Sequence, residues 1–260
     1  MHPPQTLFDD MDPARAAALY ATLGLTRSPD APLIAFGHQI YFWQAEPPST
    51  LGRDGHPRTG GLVPETGLPR RIWAGGRLQF HTPLILGTRT QKTTYLEQVS
   101  HKQGRSGPLA FVTLRHEISQ CGALTVTEWQ DLVYRDDPAP KSSAPAAPRA
   151  PENPQSEICC SFSTTTLFRY SALTFNGHRI HYDADYCREV EGYPGLVVHG
   201  PLLAQQLILM AVARLGRLSR FRFRATSALF QTERARLCAR DDQFWVAGPD
   251  GRLCMTAQAD

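Results

Sequence analysis

The chain has no run of basic residues. Its 27 lysines and arginines against 24 aspartates and glutamates leave a formal charge of +3 over 260 residues. That is too small a surplus to argue for a nucleic-acid partner, and the cations are scattered, with lysine confined to Lys92, Lys102 and Lys141. None of the six cysteines forms a Cys-x-x-Cys pair, so neither a zinc site nor a thioredoxin-like motif is indicated. Cys159 and Cys160 adjoin and cannot easily bridge to each other, which fits reduced thiols. The start, Met1-His-Pro-Pro, lacks a basic-then-apolar signal pattern, and no segment is apolar for the length of a membrane span. A cytoplasmic protein with no membrane partner is expected. What remains, 42% hydrophobic and 20% charged residues, is ordinary for a soluble globular chain large enough for a proper core.

Residues 136–156 are dominated by proline, alanine and serine, without a large apolar side chain to hold them in a core. They predict an extended, semi-stiff linker between a first half, 1–135, and a second, 157–260. The second half opens with a β-rich piece, Ile158 to Phe168. It continues through a polar motif into an apolar helix, about Pro201 to Leu215, with Gly216 as its stop. Strand-like segments follow at Phe221–Ala225, Arg234–Arg240, Gln243–Ala247 and Arg252–Gln258, with a Pro249-Asp-Gly251 turn. The first half ends in a similar run: Gly76–Ile85, Thr90–His101, Leu109–Ser119 and Leu124–Tyr134. The order of elements matches although the residues barely do. This predicts a diverged duplication, with each half supplying one layer of a single continuous sheet.

The chemistry concentrates in Ser171-Ala-Leu-Thr-Phe-Asn-Gly-His-Arg-Ile-His-Tyr-Asp183 and Gly195-Leu-Val-Val-His-Gly-Pro-Leu202. An amide, Asn176, and a histidine, His181, stand five residues apart, ahead of a helix that opens on Gly200-Pro201. Such a set can move a proton and a water beside a carbonyl whose oxygen gains negative charge.

These residues, with Val190-Glu-Gly-Tyr-Pro194, closely resemble the hydratase motif of the MaoC-like hotdog enzymes. The branch they resemble most contains hydroxyacyl-thioester dehydratase type 2 and the mesaconyl-C4-CoA and itaconyl-CoA hydratases. Arg71-Ile-Trp-Ala-Gly-Gly-Arg77, Gly104-Arg-Ser-Gly-Pro-Leu109 and Glu128-Trp-Gln-Asp-Leu-Val-Tyr134 extend the resemblance into the first half. It implies an α+β double hotdog, each half an antiparallel sheet wrapped around a helix, in which the second half keeps the catalytic motif and the first encloses the acyl group. One departure stands out. The wider pattern is Asp-x-Asn-Pro-aliphatic-His, and with its histidine on His181, Asn176 replaces the aspartate and His178 the asparagine. A two-residue acid–base mechanism copied from the wider family is thereby put in doubt.

The resemblance implies an (R)-specific hydro-lyase acting on acyl-CoA thioesters, with coenzyme A entering as part of the substrate and no metal or redox cofactor. His181, with an unperturbed pKa of about 6.5, is the expected proton-transfer group. Asn176 is expected to hold the attacking water through its amide. The Gly200 N–H, at the start of the buried helix, is expected to meet the thioester oxygen, with Pro201 at a position where its missing N–H costs nothing. His178 could be a second acid–base group, with a helix-start or hydrogen-bonding role preferred. Asp183 and Asp185 are expected to cap or solvate the segment after the motif, although Asp183 could orient a histidine. His199 is expected to be a packed, hydrogen-bonded residue. A dicarboxylic acyl group would call for arginine: Arg71 and Arg77 flank Trp73 and are preferred, with Arg179 less discriminating. Arg105, Arg222 and Arg224 are candidates for the CoA phosphates, with a solvated charge the preferred reading for each. Itaconyl-CoA or mesaconyl-C4-CoA, as in itaconate degradation, is the leading substrate. A fatty or polyketide-like 3-hydroxyacyl-thioester dehydratase, favoured by a long arginine-free tunnel, is the rival. A hotdog thioesterase and a non-catalytic acyl-CoA binder come behind it. The internal duplication leaves a homodimer open.

Overall fold

The computed structural model describes residues 3–28, 30–104, 107–137 and 146–260. The first half runs β1 (Gln5–Asp9), α1 (Pro13–Leu23), β2 (Arg70–Phe80), β3 (Thr90–Gly104), β4 (Gly107–Gln120) and β5 (Ala123–Arg135). The second runs β6 (Ser156–Ser161), α2 (Thr164–Thr174), α3 (Ala184–Glu189), α4 (Gly200–Leu215), β7 (Arg220–Ala225), β8 (Arg234–Arg240), β9 (Gln243–Ala247) and β10 (Leu253–Ala259). Their alternation is plain in the residues. In β4 the inward positions are Ala110, Val112, Leu114, His116, Ile118 and Gln120, and in β7 Phe221 and Phe223 turn inward between arginines.

All ten strands form one sheet in the order β1-β3-β4-β5-β2-β7-β10-β9-β8-β6. Read outward from its middle, each half gives its second, fifth, fourth, third and first strand, which is the duplication that the element order predicted. The halves join where β2 runs antiparallel to β7, from Gly75 opposite Arg224 to Gln79 opposite Arg220. A bulge interrupts β2 between Trp73 and Gly75.

The halves differ inside. The buried face of α4, including Leu203, Leu207, Ile208 and Ala211, packs on β7–β10. In the first half α1 is shorter and packs against α2, and residues 24–69 carry no α-helix among the described residues. The space under the first-half sheet is instead bordered by Leu62, Val63, Leu68 and Trp73 against Val112, Leu132 and Tyr134.

Three local expectations change. The segment Ile158–Phe168 is a strand only as far as Ser161, because Ser163 accepts the Thr166 N–H (3.1 Å) and caps α2. The strand expected at Gly76–Ile85 begins at Arg70 and ends at Phe80. In the linker, 138–145 lie outside the described residues, while Ala150 donates to Gly251 O (2.9 Å) and packs against Trp245 and Leu253.

A buried polar group sits within the first-half core. Glu128 accepts hydrogen bonds from Gln39 (2.8 Å) and pairs with His38 (2.8 Å). Burial works to raise the Glu128 carboxyl, but His38 and Gln130 hold it at about 2. Changing Glu128 to alanine would leave these donors without an acceptor. We expect a loss of about 3–5 kcal/mol, read as a lowered denaturation midpoint.

Candidate active site

The site begins where α2 stops. Phe175 adopts a left-handed conformation (φ 50°), and the Asn176 N–H closes the helix end on Ser171 O (2.8 Å). Residues of the first half brace this end: Trp43 stacks on Phe175 and donates to Leu173 O (3.0 Å). The Asn176 side-chain oxygen then accepts the His178 N–H (3.0 Å), which shapes the turn. One of its two acceptor positions is thus spent on the backbone. The Asn176 amide keeps its NH2 donors and a single lone pair for a water, one acceptor fewer than the sequence alone implies.

His181 is buried, and its Nδ1 lies 2.8 Å from Val197 O. A carbonyl only accepts, so the proton is on Nδ1 and the lone pair on Nε2, which has no partner among the described residues. Val197 is itself fixed, donating to Ile180 O (2.9 Å) and bridging Phe230. Burial lowers the His181 pKa to about 4, opposed by the bond to Val197. The imidazole is thus neutral, oriented, and able to take a proton at Nε2.

Four histidines stand in a row. His181 stacks on His199 with centroids 3.6 Å apart, His178 meets His181 edge-on at 5.4 Å, and His56 meets His178 at 4.7 Å. Burial lowers all four, His178 to about 3 and His56 and His199 well below the ordinary value. His199 binds Ser171 Oγ through Nε2 (2.8 Å) and caps α4 as a packed residue. Among the described residues no three His, Cys, Asp or Glu side chains converge as metal ligands.

His56 carries no motif and was missed from sequence. The signal that could have found it is the glycine on either side of the contact. Gly55 (φ 86°) and Gly177 lie back to back, and a Cβ on Gly55 would overlap the Gly177 carbonyl. The Arg179 N–H donates to Asp54 O (2.8 Å), so the loop before His56 is pinned to the segment that carries Asn176 and His181.

Behind His199, α4 begins. The first bond within it is Leu203 N–H to His199 O (3.1 Å), which leaves the N–H groups of Gly200 and Leu202 ahead of the ladder at its positive end. A Cβ on Gly200 would stand 3.1 Å from Trp73 Cε3. Trp73 cannot retreat, being stacked on Phe36 and wedged against Phe223 (5.1 Å). Gly200→Ala is expected to displace the helix start. We expect about 1–3 kcal/mol of strain and a larger proportional loss of turnover than of stability, measured by kinetics and thermal denaturation on one preparation.

Residues 36–231 match the family described as hydroxyacyl-thioester dehydratase type 2. The chain belongs to that family. It is 40% identical to the mesaconyl-C4-CoA hydratase of Chloroflexus aurantiacus, over 97% of this chain and 93% of that one. Two solved structures share the fold at low identity. A MaoC-like dehydratase from Phytophthora capsici has a TM-score of 0.74 at 12% identity, covering 100% of this chain and 95% of the other. A Mycobacterium tuberculosis protein described as a double hotdog has a TM-score of 0.61 at 12% identity, covering 100% and 96%. The chain is a double hotdog, as its strand order shows, and its membership of the dehydratase type 2 family makes it a hydro-lyase.

Within this family frame the arginines separate. Arg71 stands opposite Tyr134 and Trp73 opposite Leu132, so both point to the inner face. Arg77, expected beside them, does not: the bulge at Ala74 reverses the alternation, and Arg77 lies exposed on the outer face over Trp129 (5.3 Å). It borders an outer cleft of about 840 Å³ with Arg222 and Arg224. Arg179 is engaged at the surface, bound to Asp183 (2.7 Å) and stacked over Tyr186. Asp183 also caps α3 through the Tyr186 N–H (2.9 Å) and orients no histidine. Arg105 lies outside the described residues.

Proposed function

We propose that the chain catalyses the reversible hydration of a short dicarboxylic enoyl-CoA, of the mesaconyl-C4-CoA or itaconyl-CoA type. The observation that carries the hydration chemistry is His181, its Nδ1 held by Val197 O and its Nε2 unpartnered beside the first turn of α4. A water held by the Asn176 amide gives a proton to His181 Nε2 as its oxygen bonds to the β-carbon. Electron density shifts to the thioester oxygen, which meets the N–H groups of Gly200 and Leu202. The imidazolium, formed on a site that disfavours charge, then returns the proton to the α-carbon. One group serves both transfers, so the absence of an aspartate at position 176 does not disable the sequence of steps.

The dicarboxylic substrate class rests on the 40% identity to the mesaconyl-C4-CoA hydratase and on Arg71, an arginine on the inner face beside Trp73. The fatty-acyl rival asks for an arginine-free tunnel. The test is turnover by mass spectrometry of itaconyl-CoA, mesaconyl-C4-CoA, crotonyl-CoA and a medium-chain enoyl-CoA. Gain of one water on the dicarboxylic thioesters supports the reading, and gain on the neutral chains alone would replace it with the fatty-acyl one. Release of free CoA would mean a thioesterase.

A further inference from the structure

We propose that the first half contains a binding pocket for the second carboxylate of the acyl group, built from Arg71, Tyr134 and His56 with the indole N–H of Trp73. The inference rests on the hydratase reading for the direction in which the acyl group points, and it assigns the residues that select the substrate.

Arg71 is the first observation. Its neighbour Arg70 is ion-paired with buried Glu191, whereas Arg71 makes no ion pair among the described residues. Its charge is nevertheless felt throughout the site, by His56, His178, Asp54 and Tyr134. The carboxylate among these, Asp54, is turned to its own loop and accepts the His56 N–H (3.1 Å). A guanidinium left in this position without an anion, with the Tyr134 phenol oxygen as a hydrogen-bond acceptor beside it, keeps N–H donors for a carboxylate.

Trp73 is the second. Its Cε3 edge faces Gly200, and its Nε1–H, on the opposite edge of the indole, is buried with no partner. A chamber made for a hydrocarbon tail would gain nothing from a buried donor and would bear its desolvation cost. Tyr134 adds a phenol directly across the sheet from Arg71. Burial raises its pKa against the opposing Arg71 charge, which keeps it a protonated donor. His56, kept neutral by burial and by Arg71, offers a further N–H from the loop pinned on Gly177.

Arg71 and Trp73 are next neighbours on the inner face of β2, their Cα atoms about 7 Å apart. A fatty chain running along this face would have to pass the charge. The surrounding apolar residues, Leu132, Val112 and Leu68, exclude water and strengthen the pair.

The test uses two saturated thioesters of equal chain length, succinyl-CoA and butyryl-CoA, one ending in a carboxylate and the other in a methyl group. Neither has a double bond to hydrate, so calorimetric binding to the full chain is independent of turnover. The protein is expected to prefer succinyl-CoA by about tenfold or more, and Arg71→Leu to bring the two affinities to within about threefold. Arg71→Lys, which keeps the charge but not the fork, should fall between. Tyr134→Phe removes one donor with little change of shape and should weaken succinyl-CoA alone by several-fold. Trp73→Phe removes the indole N–H together with the ring that bears it, and should weaken succinyl-CoA more than butyryl-CoA. These guard against an Arg71 variant that fails to fold. No preference in the unaltered protein, or a preference that survives Arg71→Leu, overturns the pocket. If the preference is present but no enoyl-CoA is hydrated, the hydratase reading fails and the pocket stands.

Discussion

Changing His181 to alanine is expected to lower turnover by about 10²- to 10⁴-fold, the largest loss of any single substitution in the site. The imidazole is the one side chain of the four-histidine row whose tautomer is fixed by a backbone carbonyl and whose other nitrogen is left unpartnered beside α4. His178 and His56 sit further along the row, and His199 Nε2 is occupied by Ser171. The same change at His178 should cost much less. A pH profile separates proton transfer from packing. With the His181 pKa near 4, kcat/KM should stay flat from neutrality to about pH 5 and fall only as the ring protonates below that. Turnover in His181→Ala within threefold of the unaltered protein, on a folded sample, would remove the residue from the mechanism.

The second half was legible because its signals are local. Asn176, His181, Gly200 and Pro201 lie within one helix end, one turn and one helix start, and Gly216 stops α4 where the apolar pattern ends. Strand periodicity likewise placed β8 and β9 at their observed limits. The first half was less legible for two reasons. A period of two puts Arg71, Trp73 and Arg77 on one face, but a single inserted residue, Ala74, turns Arg77 outward, and no residue type announces it. His56 reaches the site through the close approach of Gly55 and Gly177, a contact between chain segments far apart in sequence. The Ser163 cap, too, was available in the sequence and was outweighed by the β-branched, β-favouring run that follows it.

Stability is expected to fall steeply with acid, in a window set by the histidines. His116 and His181 are buried, and burial lowers each to about 4. In the unfolded chain both return to about 6.5. Below that value the unfolded state binds the extra protons, so stability drops as pH falls from 6.5 to 4 and levels off once the folded rings protonate as well. At pH 5 each ring contributes a loss of about 2 kcal/mol, or about 4 kcal/mol for the pair, and His56, His178 and His199 shift in the same direction. Set against a typical domain stability of about 5–15 kcal/mol, this is enough to bring unfolding within reach. Glu128 acts in a lower window, between its unfolded value of 4.5 and about 2, so the two effects separate on the pH axis. The check is chemical denaturation at pH 7.5, 6, 5 and 4.5 on the unaltered protein and on His116→Leu. His116 lies in the first-half core, bound to Thr94 (2.8 Å) and away from the row of four histidines. Removing it should flatten the slope between pH 6.5 and 5 by about 2 kcal/mol whatever it does to stability at neutral pH. Stability that is level from pH 7.5 to 5 would mean that these rings are not held neutral, and with it the assignment of His181 as a neutral base at the start of the reaction would fall.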